Sequence, residues 1–264
     1  MISPFYLGVA AALFVFMAIG WAVQRAQANA GWVDVFWTFG VGLAGAAAAL
    51  YPAAGSLPQR RWLVAALVLA WALRLGLHVA ARVSRTDEDR RYVDLRRQWG
   101  AGFQRTMFGF LQLQALVSLP LVAAVALAAH KPSPQLGLAD ALGVLILLVA
   151  VAGEGTADAQ MDRFKADPDH GQINDRGLWA WSRHPNYFFE WLGWFAYPVI
   201  AVQLSGYPIG WAALAAPAVM YVVLVHMTGL PALETHMLAS RGDAFRAYQR
   251  RTSPFIPLPP RKEA

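Results

Sequence analysis

The chain has 264 residues, 57% of them hydrophobic and only 14% charged, against about 45–50% and 25% in soluble domains. It has no cysteine, which excludes disulfides, thiolate nucleophiles, cysteine-bound zinc and iron–sulfur clusters. The net charge of +6 reads as Lys and Arg held on one side of a bilayer rather than as a nucleic-acid footprint, and no nucleic-acid partner is expected.

The apolar residues form long runs, and about 20 such residues cross a hydrocarbon core. The first run is Ser3–Val23. Ala28-Asn29-Ala30 resembles a signal-peptidase site, but Met1–Tyr6 carries no positive charge, and the run exceeds the roughly 7–15 residues of a signal-peptide core. It is read as the first span. The second, Trp32–Tyr51, opens on GWVDVFW and contains Asp34. The third, Trp62–Ala81, carries Arg74 and His78, with Arg82 one turn on; this i, i+4, i+8 spacing puts all three on one helix face.

Asp87-Glu88-Asp89-Arg90-Arg91-Tyr92 follows. Its adjacent carboxylates lack the alternating spacing of a calcium loop, and the neighbouring arginines make it a salt-bridged helix start. The fourth run is Phe108–Ala129. The fifth, Leu138–Ala157, holds Glu154, with Asp158 on the same face one turn later. In Phe164-Lys165-Ala166-Asp167-Pro168, Lys165 taken alone reads as a solvated loop charge. The stretch GLWAWSRHPNYFFEW, 177–191, sets Arg183, His184, Asn186 and Glu190 at the mouth of the sixth run, Tyr187–Leu204. A turn at Leu204–Pro208 joins it to the seventh, Tyr207–Leu230, as a helical hairpin. In the tail, 231–264, the prolines of Ser253–Pro260 forbid a continued helix, because each lacks an N–H and clashes with the preceding turn.

The expected fold is all-α: one polytopic membrane domain, 1–264, with seven spans. With the N-terminus outside, 18 of the 22 Lys and Arg fall inside, and the C-terminus is cytoplasmic. The alanine content and the lack of a targeting signal fit a bacterial inner membrane. Charged groups at membrane depth cost about 2.5–3.5 kcal/mol each on insertion scales. Either they pair, as Arg74 with Glu154, and lock the bundle, or they line a cytoplasmic-side polar cavity. An Arg-rich, aromatic rim suits an anionic cofactor with aromatic rings. No G-x-G-x-x-G follows a strand, and no H-x-x-x-H or H-E-x-x-H pattern occurs, so neither a Rossmann site nor a bound metal is expected.

Gly177-Leu178-Trp179, Ser182-Arg183-His184-Pro185-Asn186-Tyr187 and Glu190 resemble the C-terminal signature of the steroid 5α-reductase superfamily, which includes the sterol C14 and C7 reductases. Glu234, Gly242, Phe245, Tyr248, Arg251, Phe255 and Pro257 resemble the tail of that group and of the isoprenylcysteine methyltransferases. Asp34-Val35-Phe36-Trp37, Trp71–Leu75, His78, Arg82, Glu88–Tyr92 and Gln160 are similar to the bacterial 5α-reductase-like branch. The resemblance implies a seven-helix bundle that holds NADPH on the cytoplasmic side and reduces a C=C bond of a lipid-like, steroid or isoprenoid-type substrate from the bilayer. It places Arg82, Glu154, Asp158, Lys165 and Asn186 at the cofactor, Lys165 on a phosphate, and Arg91 and Tyr92 on the adenine side. Trp179, Arg183, His184, Tyr187, Glu234 and Tyr248 complete the expected cofactor set. Glu190 lies near the nicotinamide end and is counted as catalytic.

One departure matters. The 5α-reductases use a proton-donating tyrosine on the third helix beside a glutamine–glutamate pair on the second. Here Val79 stands at the tyrosine position and the second helix offers Asp34. His78 with Asp34 is therefore the expected substitute acid, since His titrates near neutral pH. Two other readings compete. An S-adenosylmethionine-dependent methyltransferase would share the Arg-His-Pro-x-Tyr run, but basic Lys165 and Arg82 favour a phosphate over a sulfonium. A non-catalytic lipid-binding or transport bundle would show broken helices in both halves.

Overall fold

A computed structural model describes residues 3–86, 88–169 and 171–261; the Arg90 side chain, Asp87 and Lys262 lie outside the described residues. Its elements are helical: α1 (Pro4–Gln27), α2 (Trp32–Leu50), α3 (Pro58–Val83), α4 (Arg90–Trp99), α5 (Phe103–Ala129), α6 (Leu138–Ala166), α7 (Leu178–Trp181), α8 (Pro185–Gly193), α9 (Ala196–Ala201), α10 (Ala215–Tyr221) and α11 (Leu230–Arg251). No β-strand occurs among the described residues, only isolated bridges at Ser56–Pro132 and Ser182–Ser253.

Among the described residues six helical stretches are long and apolar enough to cross a membrane: Pro4–Gln27, Trp32–Leu50, Pro58–Val83, Arg91–Ala129, Leu138–Ala166 and Pro208–Arg251. The chain is an integral membrane protein. The expected sixth span, 187–204, is not one helix but α8 and α9, interrupted at Trp194 and Phe195. Pro198 supplies the reason, since its ring clashes with the carbonyl four residues back and it cannot donate to it. The seventh run is also subdivided: a 3₁₀ segment, Pro208–Leu214, then α10, then a π segment, Val222–Met227. With Glu234, His236, Arg241, Asp243, Arg246, Arg250 and Arg251, α11 is too polar to be the membrane part of its stretch.

The chain forms two compact units, Met1–Gly143 with Tyr197–Ala216, and Val144–Ala196 with Pro217–Ala264. In the first unit, α2 and α3 pack antiparallel at close range. A Cβ on Gly42 would overlap that of Ala72, and one on Gly76 would lie 2.7 Å from the Phe39 ring. Leu13, Met17, Val33, Met107, Leu111 and Ala115 form the core shared by α1, α2 and α5. At one end of this unit, buried Arg60 grips Asp140 (2.7 and 3.0 Å) and the carbonyls of Lys131 and Gln135 (3.0 and 2.8 Å). In the second unit, Phe189 lies where a Cβ on Gly153 would be, and a Cβ on Gly193 would lie 3.4 Å from Ala150. α6 and α8 therefore run antiparallel in contact.

Candidate functional site

The expected site residues fall into two groups, each within one unit. In the first unit, Asp34 sits in the first turn of α2, where the helix dipole favours a carboxylate. Its Oδ2 accepts from Arg91 Nη2 (2.9 Å) and its Oδ1 from the Tyr92 hydroxyl (2.8 Å). Asp89 caps α4 by accepting the Arg91 backbone N–H (3.0 Å). Burial would raise the Asp89 carboxyl, but the Arg91 guanidinium outweighs it and lowers the pKa. Glu88 accepts the Ala30 N–H (2.9 Å) and the Arg96 fork (2.7 and 3.1 Å). The acidic–basic run is thus a salt-bridged helix start, and it clamps the α1–α2 connection. Arg91 and Tyr92 make these bonds to Asp34. The α2–α3 register places half-buried His78 within one turn of the Asp34 level. Val79 is buried against the Val35–Val83 cluster, and Arg82 is exposed at the end of α3.

In the second unit the signature folds into one locked turn. Gly177 adopts φ 58° and ψ −130°, a region natural to glycine, beside the Gln160 amide. Gln160 Oε1 accepts the Leu178 N–H (2.9 Å), and Trp179 Nε1 donates to the Ala157 carbonyl (3.0 Å). The turn is thereby tied to the end of α6. Buried Arg183 donates through Nε to Glu234 Oε1 (2.7 Å) and through Nη1 to the carbonyls of Thr252 (2.7 Å) and Gln249 (3.3 Å). His184 Nε2 donates to the same Glu234 oxygen (3.2 Å), and Gln249 Nε2 to the other (2.9 Å). Burial alone would raise the Glu234 carboxyl, but the His184 and Arg183 hydrogen bonds and the guanidinium charge hold it at about 2.

The tail closes over this turn. Arg183 N–H donates to the Ser253 carbonyl (2.8 Å), Ser182 Oγ to that of Phe255 (2.7 Å), and Leu258 N–H to that of Trp181 (3.0 Å). Tyr248 donates its hydroxyl to the Trp179 carbonyl (2.5 Å), and burial pushes its pKa up. In a straight helix Glu234 and Gln249 would be about 22 Å apart. They meet because Gly242, at φ 48° and ψ −120°, breaks α11.

The α6–α8 register sets Asp158 level with the His184–Asn186 turn, and buried Glu154 level with Phe188 and Phe189. Asn186 and Tyr187 are half-buried at the start of α8, with the Tyr187 ring stacked on that of His184 at 5.8 Å. Buried Glu190 accepts from Trp194 Nε1 (3.0 Å). Lys165 and Arg163 are exposed at the end of α6.

The structure therefore brings together Asp34, Arg91 and Tyr92 in one unit. In the other it joins Arg183, His184, Glu234, Tyr248 and Trp179, with Tyr187 stacked on His184. Lys165 and Arg82 stand at exposed helix ends. Sequence reasoning missed Ser182 as a tail anchor and Gln249 as a Glu234 partner; an isolated glycine within a helical pattern, Gly242, was the available signal for the second. Among the described residues no group of three or more His, Cys, Asp or Glu is placed to hold a metal ion.

A family model described as Protein of unknown function (DUF1295) matches residues 20–252. No curated protein and no solved structure matches the chain significantly.

Proposed function

We propose that this chain, which belongs to the DUF1295 family, is a membrane-embedded NADPH-dependent reductase acting on a carbon–carbon double bond of a lipid-like, steroid or isoprenoid-type substrate. The reading takes the 5α-reductase-like signature as its guide, with seven spans and a cytoplasmic C-terminus. The observation that carries it is the folding of that signature into one rigid turn. Asn186 and Tyr187 then begin α8 level with Asp158, on the helix that ends in Arg163 and Lys165.

The donor chemistry fits the cofactor. Arg163 and Lys165 are exposed cations suited to phosphate, and Asn186 offers an amide with both donor and acceptor atoms. When bound, NADPH supplies a hydride from its nicotinamide ring. Lys165 binds a phosphate, and Asn186 with Glu190 orients the nicotinamide end. Arg183, His184, Glu234, Trp179 and Tyr248 act as positioning residues, because the bonds they make lock the turn to the tail. His78 and Asp34, both in the first unit, are the residues proposed for proton donation, His because it titrates near neutral pH.

Calorimetry on the detergent-solubilised full-length protein tests the assignment. Lys165→Ala is expected to weaken NADPH binding about tenfold, the value of one charge-assisted hydrogen bond. Unchanged NADPH affinity in that variant would remove Lys165 from the cofactor. Binding of S-adenosylmethionine in place of NADPH would move the protein to the methyltransferase class.

A further inference from the structure

Away from these residues, one corner of the first unit sets two arginines and two aromatic rings at the ends of two spans. α1 ends beside the start of α5. Trp21 Nε1 donates to the Gln104 carbonyl (2.9 Å), and Gln24 Nε2 donates to Gln104 Oε1 (2.8 Å). These bonds fix the Trp21 indole in place. The Arg25 guanidinium lies over its ring at 5.6 Å, and Phe108 meets it edge-on at 5.5 Å. Arg105 follows Gln104 directly. Arg25, Arg105 and Phe108 are exposed, and among the described residues neither guanidinium has a carboxylate partner.

Further along the same two helices, Val15, Ile19, Leu113 and Leu116 are exposed, as befits sides that face acyl chains. The residues at the helix ends then lie at headgroup level, where Trp concentrates. Arg25 over the indole and Arg105, next in the chain to the Gln104 that holds the indole, put two cations at one corner, where an anion offsets their charge. A phosphate oxygen pair suits a guanidinium fork, and an indole with a phenyl ring suits the first methylenes of an acyl chain.

We propose that this α1–α5 corner is a binding site for an anionic phospholipid, its phosphate held by Arg25 and Arg105 and its upper acyl chain lying on Trp21 and Phe108. A lipid is the occupant because the charged end is continuous with a lipid-facing apolar side. An anionic lipid is favoured because a zwitterionic headgroup brings its own cation to the two arginines.

The test uses the full-length protein in nanodiscs of equal phosphatidylglycerol and phosphatidylcholine, with retained lipids counted by native mass spectrometry. The wild type is expected to retain phosphatidylglycerol about tenfold or more in preference, from two interfacial arginines. Arg25→Gln with Arg105→Gln should reduce that preference to about twofold or less, whereas the paired Lys substitutions, which keep the charge, should preserve most of it. A control pair on α11, Arg246→Gln with Arg250→Gln, changes net charge equally and should retain the preference. The proposal is overturned if the Arg25/Arg105 Gln pair keeps the wild-type preference. It is also overturned if the control pair loses as much, or if millimolar inorganic phosphate displaces the lipid.

Discussion

Glu234 accepts from Arg183, His184 and Gln249, and Arg183 is 9% exposed. Removing the carboxylate charge leaves that guanidinium without its counter-ion in a low-dielectric setting. Glu234→Gln is therefore expected to destabilise the protein by about 2–4 kcal/mol, and Gln249→Ala by about 1 kcal/mol, both read from chemical unfolding in detergent. The pH dependence has a definite sign. The carboxyl falls from an ordinary 4.5 to about 2 in the fold, so its contribution is complete above pH 4.5 and is lost as pH falls toward 2. The stability slope across that window should shrink by the Glu234 share in Glu234→Gln, while Asp89 keeps its own contribution; an unchanged slope would assign it to other groups. On the proposed function, His78→Ala lowers turnover and leaves NADPH affinity within about twofold, as expected when only proton transfer is lost. Full turnover in that variant would exclude His78 as the acid. The signature residues were legible because they are contiguous. Their partners were not: Arg183 and Glu234 are 51 positions apart, and Asp34 and Arg91 are 57 apart, so only folding selects the pairs.

At the level of elements, close helix approach sets the first unit. Because a Cβ at Gly42 would lie 2.3 Å from that of Ala72, Gly42→Val must push α2 and α3 apart. A loss of about 1–3 kcal/mol is expected, as for overpacked cores. Gly8→Ala on α1, where nothing lies near the added carbon, should be neutral or slightly stabilising; equal losses in both variants would refute the packing argument. The long spans α1 to α3, α5 and α6 could be read from hydropathy because each stays one continuous helix across its mainly apolar run. The 187–204 run misled because hydropathy counts apolar side chains and ignores the missing N–H of Pro198, which separates α9 from α8. The Asp89 cap and the salt-bridged start of α4 were readable, since adjacent carboxylates and arginines in one turn have local partners. The fold-back of α11 had one local signal, the isolated Gly242; that its φ is positive becomes visible only once Glu234 and Gln249 are seen to meet.

For the molecule as a whole, the sequence, the family match over residues 20–252 and six apolar helical stretches agree on an integral membrane protein of the DUF1295 family. The proposed reductase adds to this a cofactor held by basic and amide groups of the second unit. Parallel calorimetric titration of the purified full-length protein with NADPH and with S-adenosylmethionine tests that claim most directly. Saturable one-to-one binding of NADPH is expected, with no saturable heat from S-adenosylmethionine. Saturable S-adenosylmethionine binding with none for NADPH would contradict it.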